Sequence, residues 1–280
     1  MNNIVCKNTN KFRNRKFVFL VLNTLHLPSN FKLNTMSFFK ENFKFYNEKS
    51  ILTATKIVAW KTKSNSYNFN KLPKTVILAP ATNVLKGFRK FKYRKIKGLL
   101  GNNYLLNKDF LLSFNFGIGA SAIVTHIEEL RVFGVKNIIF IGFAGILSNK
   151  IKDGNSYLIT KALAISGVPF YYFDKEQYIV NSELVNKYKM DLDLKEKTVV
   201  SIDIPYRETK TLVEKYIDKG ASLIDMESAA IIAVSQFYNL DCMCVLVASD
   251  AIENGVWIPP KNNVNLTAII DRTIKKITSI

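Results

Sequence analysis

Apolar residues along most of the chain come in short runs separated by segments with helical spacing. Because nearly every position in six of these runs is apolar, we expect strands that are buried on both faces of a sheet. The alternation of such strands with amphipathic segments predicts an α/β fold. The six predicted strands are Thr75 to Pro80, Phe110 to Gly117, Asn137 to Gly145, Ser156 to Ile165, Lys197 to Asp203 and Met243 to Asp250.

Three segments between or after these strands have the spacing of helices. In the first, from Ala120 to Phe133, the residues Ile123, Ile127 and Leu130 fall on one helical face, and Gly134 stands in the C-capping position. Two more helices are predicted for Asp225 to Leu240 and for Val264 to Ile277. No internal repeat is present, so the pattern predicts one globular domain, with boundaries at 36–280.

Residues 1–35 differ from the rest because they contain several Lys and Arg residues and neither Asp nor Glu. The apolar run from Lys16 to Leu22 is too short to span a bilayer. A targeting segment, a chain that begins at Met36 and a structural first strand are the alternatives. We favour a basic N-terminal extension, dispensable or targeting, because an acid-poor composition is typical of targeting segments.

The net charge of +18 would suit an acidic partner. However, the lysines recur along the whole chain, so we interpret them as a solvated surface and expect neither specific nucleic-acid binding nor a membrane role. The basic and aromatic segment from Lys86 to Lys97 has the same interpretation. Three cysteines without a CxxC pair indicate a reducing compartment, and we expect the cytoplasm. Two scattered histidines predict no metal site.

Acidic residues stand at two places where elements of an α/β fold meet a ligand cleft. Asp250 follows Ser249 at the end of a predicted strand, where a partly desolvated carboxyl group suits a general acid, although Asp is also a common capping residue. Glu227 lies in the first turn of a predicted helix, where the helix dipole favours negative charge and where a carboxylate can also hold a vicinal diol. We assign Asp225 the structural role of starting that helix.

A glycine-containing turn, "FGIGAS" from Phe116 to Ser121, lies between a predicted strand and a predicted helix. Gly117 and Gly119 would let backbone amides approach an anion at the helix N-terminus. A third glycine, which the dinucleotide fingerprint requires, is missing.

Taken in order, five segments resemble the nucleoside phosphorylase superfamily, which includes purine nucleoside and uridine phosphorylases and methylthioadenosine/S-adenosylhomocysteine nucleosidase. The resemblance covers roughly Lys74 to Trp257. The segments are "GIGASAIVTHIEELRVFGVKNIIFIGFAG", "IKDGNSYLITKALA", "SIDIPYRET", "LIDMESAAIIAV" and "VASDAIENGVW".

This resemblance implies a single doubly wound α/β domain with a twisted, mostly parallel central sheet flanked by helices. It also implies a pentosyltransferase of purine salvage that cleaves the N-glycosidic bond of a nucleoside by phosphorolysis. By the same resemblance, Glu227 holds the ribose hydroxyls, Met226 packs under the sugar, Asp250 protonates a purine at N7, and Tyr206 and Ser249 flank the base. A homo-oligomer, either a dimer or a trimer of dimers, is implied, with phosphate as co-substrate and no cofactor.

The anion site departs from the family pattern. Phosphorylases have a Gly-Asp-Pro loop followed by an arginine after the first strand, and a stretch like "RxGSxG" after the third, whereas this chain has "APATNVLKG" and "FIGFAG". A phenyl ring neither donates a hydrogen bond nor neutralises phosphate. Arg89, Arg94 or Lys86 would have to replace the missing ligands, together with the amides of Gly117 and Gly119. A phosphate-independent nucleosidase and a catalytically impaired nucleoside-binding relative are the alternatives.

Overall fold

The computed structural model describes residues 43, 45–46, 48–80, 93–262 and 264–279, which all belong to one compact unit. The predicted extension at 1–35, Arg89 and Lys86 lie outside the described residues and stay predictions. The helices are α1 (Ala54–Lys63), α2 (Ala120–Val132), α3 (Glu183–Leu192), α4 (Lys210–Asp218), α5 (Ser228–Phe237) and α6 (Leu266–Thr278). Two short 3₁₀ turns span Val168–Tyr171 and Pro205–Arg207.

The eleven strands of the described chain form one sheet. They are β1 (Thr75–Ala79), β2 (Arg94–Ile96), β3 (Asn102–Leu105), β4 (Phe110–Phe114), β5 (Asn137–Ile146), β6 (Ser156–Ala164), β7 (Gln177–Ile179), β8 (Lys195–Ser201), β9 (Leu223–Asp225), β10 (Asp241–Glu253) and β11 (Val256–Ile258). The two longest ladders, β5 with β10 and β6 with β8, are parallel, whereas antiparallel ladders add the short strands β2, β3, β7 and β11.

Helices cover both faces of this sheet, and successive residues of the central strands pack on opposite sides. In β5, Ile138 and Phe140 join a core cluster with α2 and α5, while Ile139 and Ile141 join a second cluster with α3 and α6. Continuous apolar runs follow from this two-sided burial. The predicted doubly wound α/β fold, with a central sheet flanked by helices, is confirmed. Within the described residues, no helix has both the length and the apolar character needed to cross a bilayer.

The end of α2 has the predicted glycine, since Gly134 has φ +94° and its N–H donates to the carbonyl of Arg131. Several other boundaries differ from the sequence predictions, and two of them lie beside Asp225 and Asp250. The helix expected from Asp225 begins at Ser228, because residues 223–225 pair as β9 instead. The strand expected to end at Asp250 continues to Glu253 and turns through Asn254 and Gly255, both with positive φ, into β11.

Candidate active site

A cavity of about 410 Å³ brings together four of the site residues that the sequence predicts, Met226, Glu227, Ser249 and Asp250. It lies beside the carboxyl ends of β1, β5 and β9, as expected for a ligand site in an α/β sheet. Among its walls are Ser249 and Asp250 of β10, Met226 and Glu227 between β9 and α5, and Phe143, Ala144 and Gly145 of β5. Pro80, Ile118, Ile202, Pro205, Glu208, Ile224, Asp225 and Ile252 complete the lining.

A break in the β5–β10 ladder presents Asp250 to this cavity. The register shifts between Ala248 and Ala251, so Ser249 and Asp250 form an irregularity of the bulge type, which re-aims side chains near active sites. Ser249 Oγ donates to Asp250 Oδ1 at 2.6 Å, and the indole Nε1 of Trp257 donates to Asp250 Oδ2 at 2.7 Å. The Asp250 carboxylate is therefore held in a fixed orientation by donors to both oxygens.

Gly145 lets Ile224 pack closely against β5 beside the Asp250 carboxylate. A Cβ built on Gly145 would lie 2.9 Å from Ile224 Cγ2 and 3.8 Å from Asp250 Oδ2. Any larger residue at this position would therefore displace Ile224 and narrow the floor of the cavity. The second glycine of "GFAG", Gly145, is thus explained by close packing and not by an anion.

Glu227 is the N-cap residue of α5 and is buried, yet its carboxylate faces the cavity. The backbone N–H of Gly119 donates to Glu227 Oε1 at 2.6 Å, and the N–H of Met226 donates to Oε2 at 3.3 Å. Burial, and then the negative charge of Asp225, raise the pKa of Glu227 to about 7. The amide of Gly119, predicted to bind phosphate, is thus occupied by a carboxylate.

Asp225 holds the start of α5 through a buried network. Its Oδ1 accepts from Ser201 Oγ at 2.5 Å, and its Oδ2 accepts from the N–H and the hydroxyl of Ser228 at 2.9 and 2.5 Å. Burial raises the pKa of Asp225, while these hydrogen bonds lower it. The side chain thus caps α5, in agreement with the structural role predicted for it.

Glu208 is a residue of the cavity that the sequence pattern did not reveal. It follows the 3₁₀ turn Pro205–Arg207 and is half-buried. Burial, and then the negative charge of Asp250, raise the pKa of Glu208 to about 7. The sequence offered no signal for this pairing, because the turn after β8 and the bulge of β10 are far apart along the chain.

Tyr206 lies outside the main cavity, with 94% of its surface exposed. It lines an adjoining cavity of about 520 Å³ together with Trp257 and Lys210. Pro205, Glu208, Asp250 and Ile252 line both cavities, so the two spaces adjoin at these four residues. The predicted contact of Tyr206 with a base would require a ligand that reaches past Asp250.

The predicted anion ligands do not converge on the cavity in the described part of the chain. Arg94 is exposed on the edge strand β2, where its guanidinium donates to the carbonyl of Asn68. Gly117 is not among the lining residues, Phe140 is fully buried in the core, and Phe143 forms part of the wall. Within the described residues, every ionisable side chain that lines the cavity is acidic. The described residues therefore place no cationic side chain in the wall of this cavity.

His126 and the two described cysteines lie in the core. His126 Nε2 lies 2.7 Å from Ser113 Oγ, and burial lowers the pKa of this imidazole to about 3. Cys242 and Cys244 are buried and unpaired on β10. Among the described residues, no group of three or more His, Cys, Asp or Glu side chains is placed to hold a metal ion.

A second large space, of about 850 Å³, lies at the opposite ends of the strands. It is lined by Thr75, Phe110, Asn137 and Asp241, which begin β1, β4, β5 and β10, and by several lysines. Neither Glu227 nor Asp250 reaches it, and its position is the wrong end of the sheet for ligand binding in α/β folds. The smaller cavity, with its converging carboxyl groups, is therefore the candidate active site.

Known proteins resemble the chain over the part that forms this cavity. The model of the phosphorylase superfamily matches residues 94–275. A curated DeoD-type purine nucleoside phosphorylase of Bacillus cytotoxicus is 25% identical over 171 residues, which cover 58% of this chain and 73% of the relative.

Solved structures show the same fold. An AMP nucleosidase from Bacteroides thetaiotaomicron superposes with a TM-score of 0.61 at 18% identity, covering 81% of this chain and 98% of the nucleosidase. A purine nucleoside phosphorylase from Toxoplasma gondii in complex with immucillin-H has a TM-score of 0.57 at 18% identity, covering 74% and 89% of the two chains. The fold is therefore shared by phosphorylases and by enzymes named as nucleosidases.

Proposed function

The chain belongs to the phosphorylase superfamily, and from this premise we propose that it cleaves the N-glycosidic bond of a purine nucleoside. The observation that carries the proposal is the placement of Glu227 and Asp250 in the walls of one cavity of about 410 Å³. That volume is within the range of small-molecule sites. One carboxylate is available for the sugar and the other for the base.

The proposed roles follow from the surroundings of each group. Glu227, fixed by two backbone amides, accepts hydrogen bonds from the ribose hydroxyls, with Met226 against the sugar. Asp250, with Ser249, faces the base and assists its protonation at N7. When the bond from C1′ to N9 breaks, its electron pair goes to the base, and neutralising that charge lowers the barrier.

For the attacking group, phosphorolysis is the first candidate, giving free base and ribose 1-phosphate. It is supported by the similarity to curated purine nucleoside phosphorylases. Hydrolysis is the second candidate, and the charge of the cavity favours it. Glu208, Asp225, Glu227 and Asp250 line the cavity without a basic side chain from any described residue, so a phosphate dianion would be repelled where water would not.

We further propose a homo-oligomer in the cytoplasm that acts in purine salvage without a cofactor, as the resemblance implies. Size-exclusion chromatography with light scattering tests the assembly.

Base release from inosine, adenosine, methylthioadenosine and uridine, with and without phosphate, tests the reaction. Release that needs phosphate supports phosphorolysis, whereas equal release in phosphate-free buffer supports hydrolysis. Asp250→Asn is the matched variant, because asparagine keeps the shape but lacks the charge, and we expect a loss of about 100-fold or more in kcat. No release from any nucleoside would contradict the proposal and would favour a nucleoside-binding protein.

A further inference from the structure

Two carboxyl groups, not one, face the region proposed for the base. Glu208 and Asp250 line the cavity of about 410 Å³ and also the adjoining cavity of about 520 Å³. The backbone of Glu208 is fixed because its N–H donates to the carbonyl of Pro205 at 3.2 Å. Burial, and then the charge of Asp250, raise the pKa of Glu208, so the charges of the two groups influence each other.

The two carboxyl groups have unequal surroundings. Asp250 accepts hydrogen bonds from Ser249 and Trp257, one on each oxygen. No described residue donates a hydrogen bond to the carboxyl group of Glu208. When two carboxyl groups share a site, the pKa of one of them is raised. Burial, and then the charge of Asp250, raise the pKa of Glu208 to about 7, so about half of the Glu208 carboxyl groups carry a proton at pH 7 and most of them do below it.

The other ionisable groups around Glu208 are mostly acidic. Asp225 and Glu227 line the same cavity. Burial, and then the negative charge of Glu208, raise the pKa of Tyr216 in α4. Lys210 of α4 lines the adjoining cavity, and its Nζ lies 4.0 Å from Glu214 Oε1. Among the described residues that line the two cavities, Lys210 is the single base, and the acidic groups outnumber it.

We propose that Glu208 and Asp250 act as one carboxyl pair that holds a single proton and delivers it to the departing base, an inference that rests on the proposed function. As the bond from C1′ to N9 breaks, its electron pair moves onto the base and the proton of the pair moves to N7. An oxygen of the attacking phosphate or water forms the new bond to C1′ and loses its own proton to solvent. The base leaves neutral, and the pair is left with two negative charges. Solvent then returns one proton before the next turnover.

The discriminating experiment compares two substrates in the full chain and in Glu208→Gln. Inosine has a leaving group that needs a proton, whereas 4-nitrophenyl β-D-ribofuranoside releases a phenolate that does not. We expect Glu208→Gln to lower kcat for inosine about 100-fold and to change kcat for the nitrophenyl riboside less than about threefold. Glu214→Gln, which removes an exposed carboxylate on α4, is the matched control and should leave both unchanged.

The pH profile gives a second readout that needs no variant to fold. Because the proton donor is active when protonated, kcat for inosine should fall as the pH rises through about 7, the pKa to which Glu208 is raised. The nitrophenyl riboside should not show this fall. Glu208→Asp keeps a carboxyl group, so its kcat should still fall with rising pH for inosine and not for the nitrophenyl riboside, as in the wild type.

The possible results distinguish failure of the proposed carboxyl pair from failure of the proposed nucleoside cleavage. Equal losses on both substrates in Glu208→Gln, or an unchanged kcat for inosine, would overturn the pair while leaving nucleoside cleavage intact. An inosine profile in the wild type without a limb near pH 7 would overturn it as well. If the wild type releases neither base nor nitrophenol, the proposed function fails and the pair fails with it.

Discussion

The indole Nε1 of Trp257 donates a hydrogen bond of 2.7 Å to Asp250 Oδ2, which joins the hairpin of β10 and β11 to the candidate active site. Trp257 is 61% exposed, so this hydrogen bond, and not burial, holds the indole ring beside the carboxylate. The Asn254–Gly255 turn sets the register that places Trp257 opposite Ile252, two residues after Asp250. The geometry of the proposed acid therefore depends on a surface hairpin.

Trp257→Phe should lower kcat for base release about tenfold, because a hydrogen bond to a charged group contributes about 1.5 kcal/mol. The phenyl ring keeps the contact area but cannot donate. Steady-state kinetics with a purine nucleoside measure the effect. Trp60→Phe, which changes the other tryptophan on the exposed face of α1, is the control, and an equal loss there would contradict the role of Trp257.

Tyr206→Ala tests whether the exposed tyrosine contacts the base. Since 94% of Tyr206 is exposed without ligand, its loss should change the free energy of unfolding by less than about 0.5 kcal/mol. If its ring stacks on the base, KM should rise about fivefold to tenfold, in line with about 1 kcal/mol for an aromatic contact. An unchanged KM would remove Tyr206 from the proposed base site.

Ser201→Ala tests the buried network beneath α5. The Ser201 hydroxyl donates to Asp225 Oδ1 and accepts from the N–H of Ala229 at 2.9 Å, so alanine leaves two buried polar groups without this partner. We expect a loss of about 2 kcal/mol in the free energy of unfolding. Urea unfolding measures it, and Ser222→Ala, at a less buried position before β9, should cost much less.

The sequence predicts the strands of the central sheet well because two-sided burial makes their signal continuous. Helices α1, α3 and α4 were missed, since they are short and bury few residues, such as Val58 in α1 or Val213 and Tyr216 in α4. Among the site residues, Glu227, Met226, Ser249 and Asp250 do converge on one cavity. Glu208 could not be predicted, because its proposed role depends on lining the same cavity as Asp250, and that placement leaves no local pattern.

The raised pKa of Glu227 links stability to pH. Because burial holds the pKa of this carboxyl group at about 7 in the folded state, against an ordinary 4.5, the folded protein binds more protons between these values. The stabilisation is fully present below about pH 4.5 and is lost as the pH rises through about 7. A pKa difference of one between the folded and unfolded states corresponds to about 1.4 kcal/mol, so the loss is on the order of 3 kcal/mol.

Glu227→Gln removes the ionisation and should flatten the dependence of the unfolding free energy on pH between 5 and 7.5. At pH 7.5 the variant should be the more stable protein, because glutamine avoids a buried charge beside Asp225 while still accepting the Gly119 N–H. It should also release base more slowly, since a neutral amide holds the ribose diol less tightly than a carboxylate does.

Urea unfolding at pH 5 and 7.5 measures how the unfolding free energy of the variant depends on pH, with Glu214→Gln as an exposed control. If the unfolding free energy of the variant depends on pH as that of the wild type does, Glu227 is already ionised across this range. Glu227 would then not lower stability at pH 7.5 in return for activity.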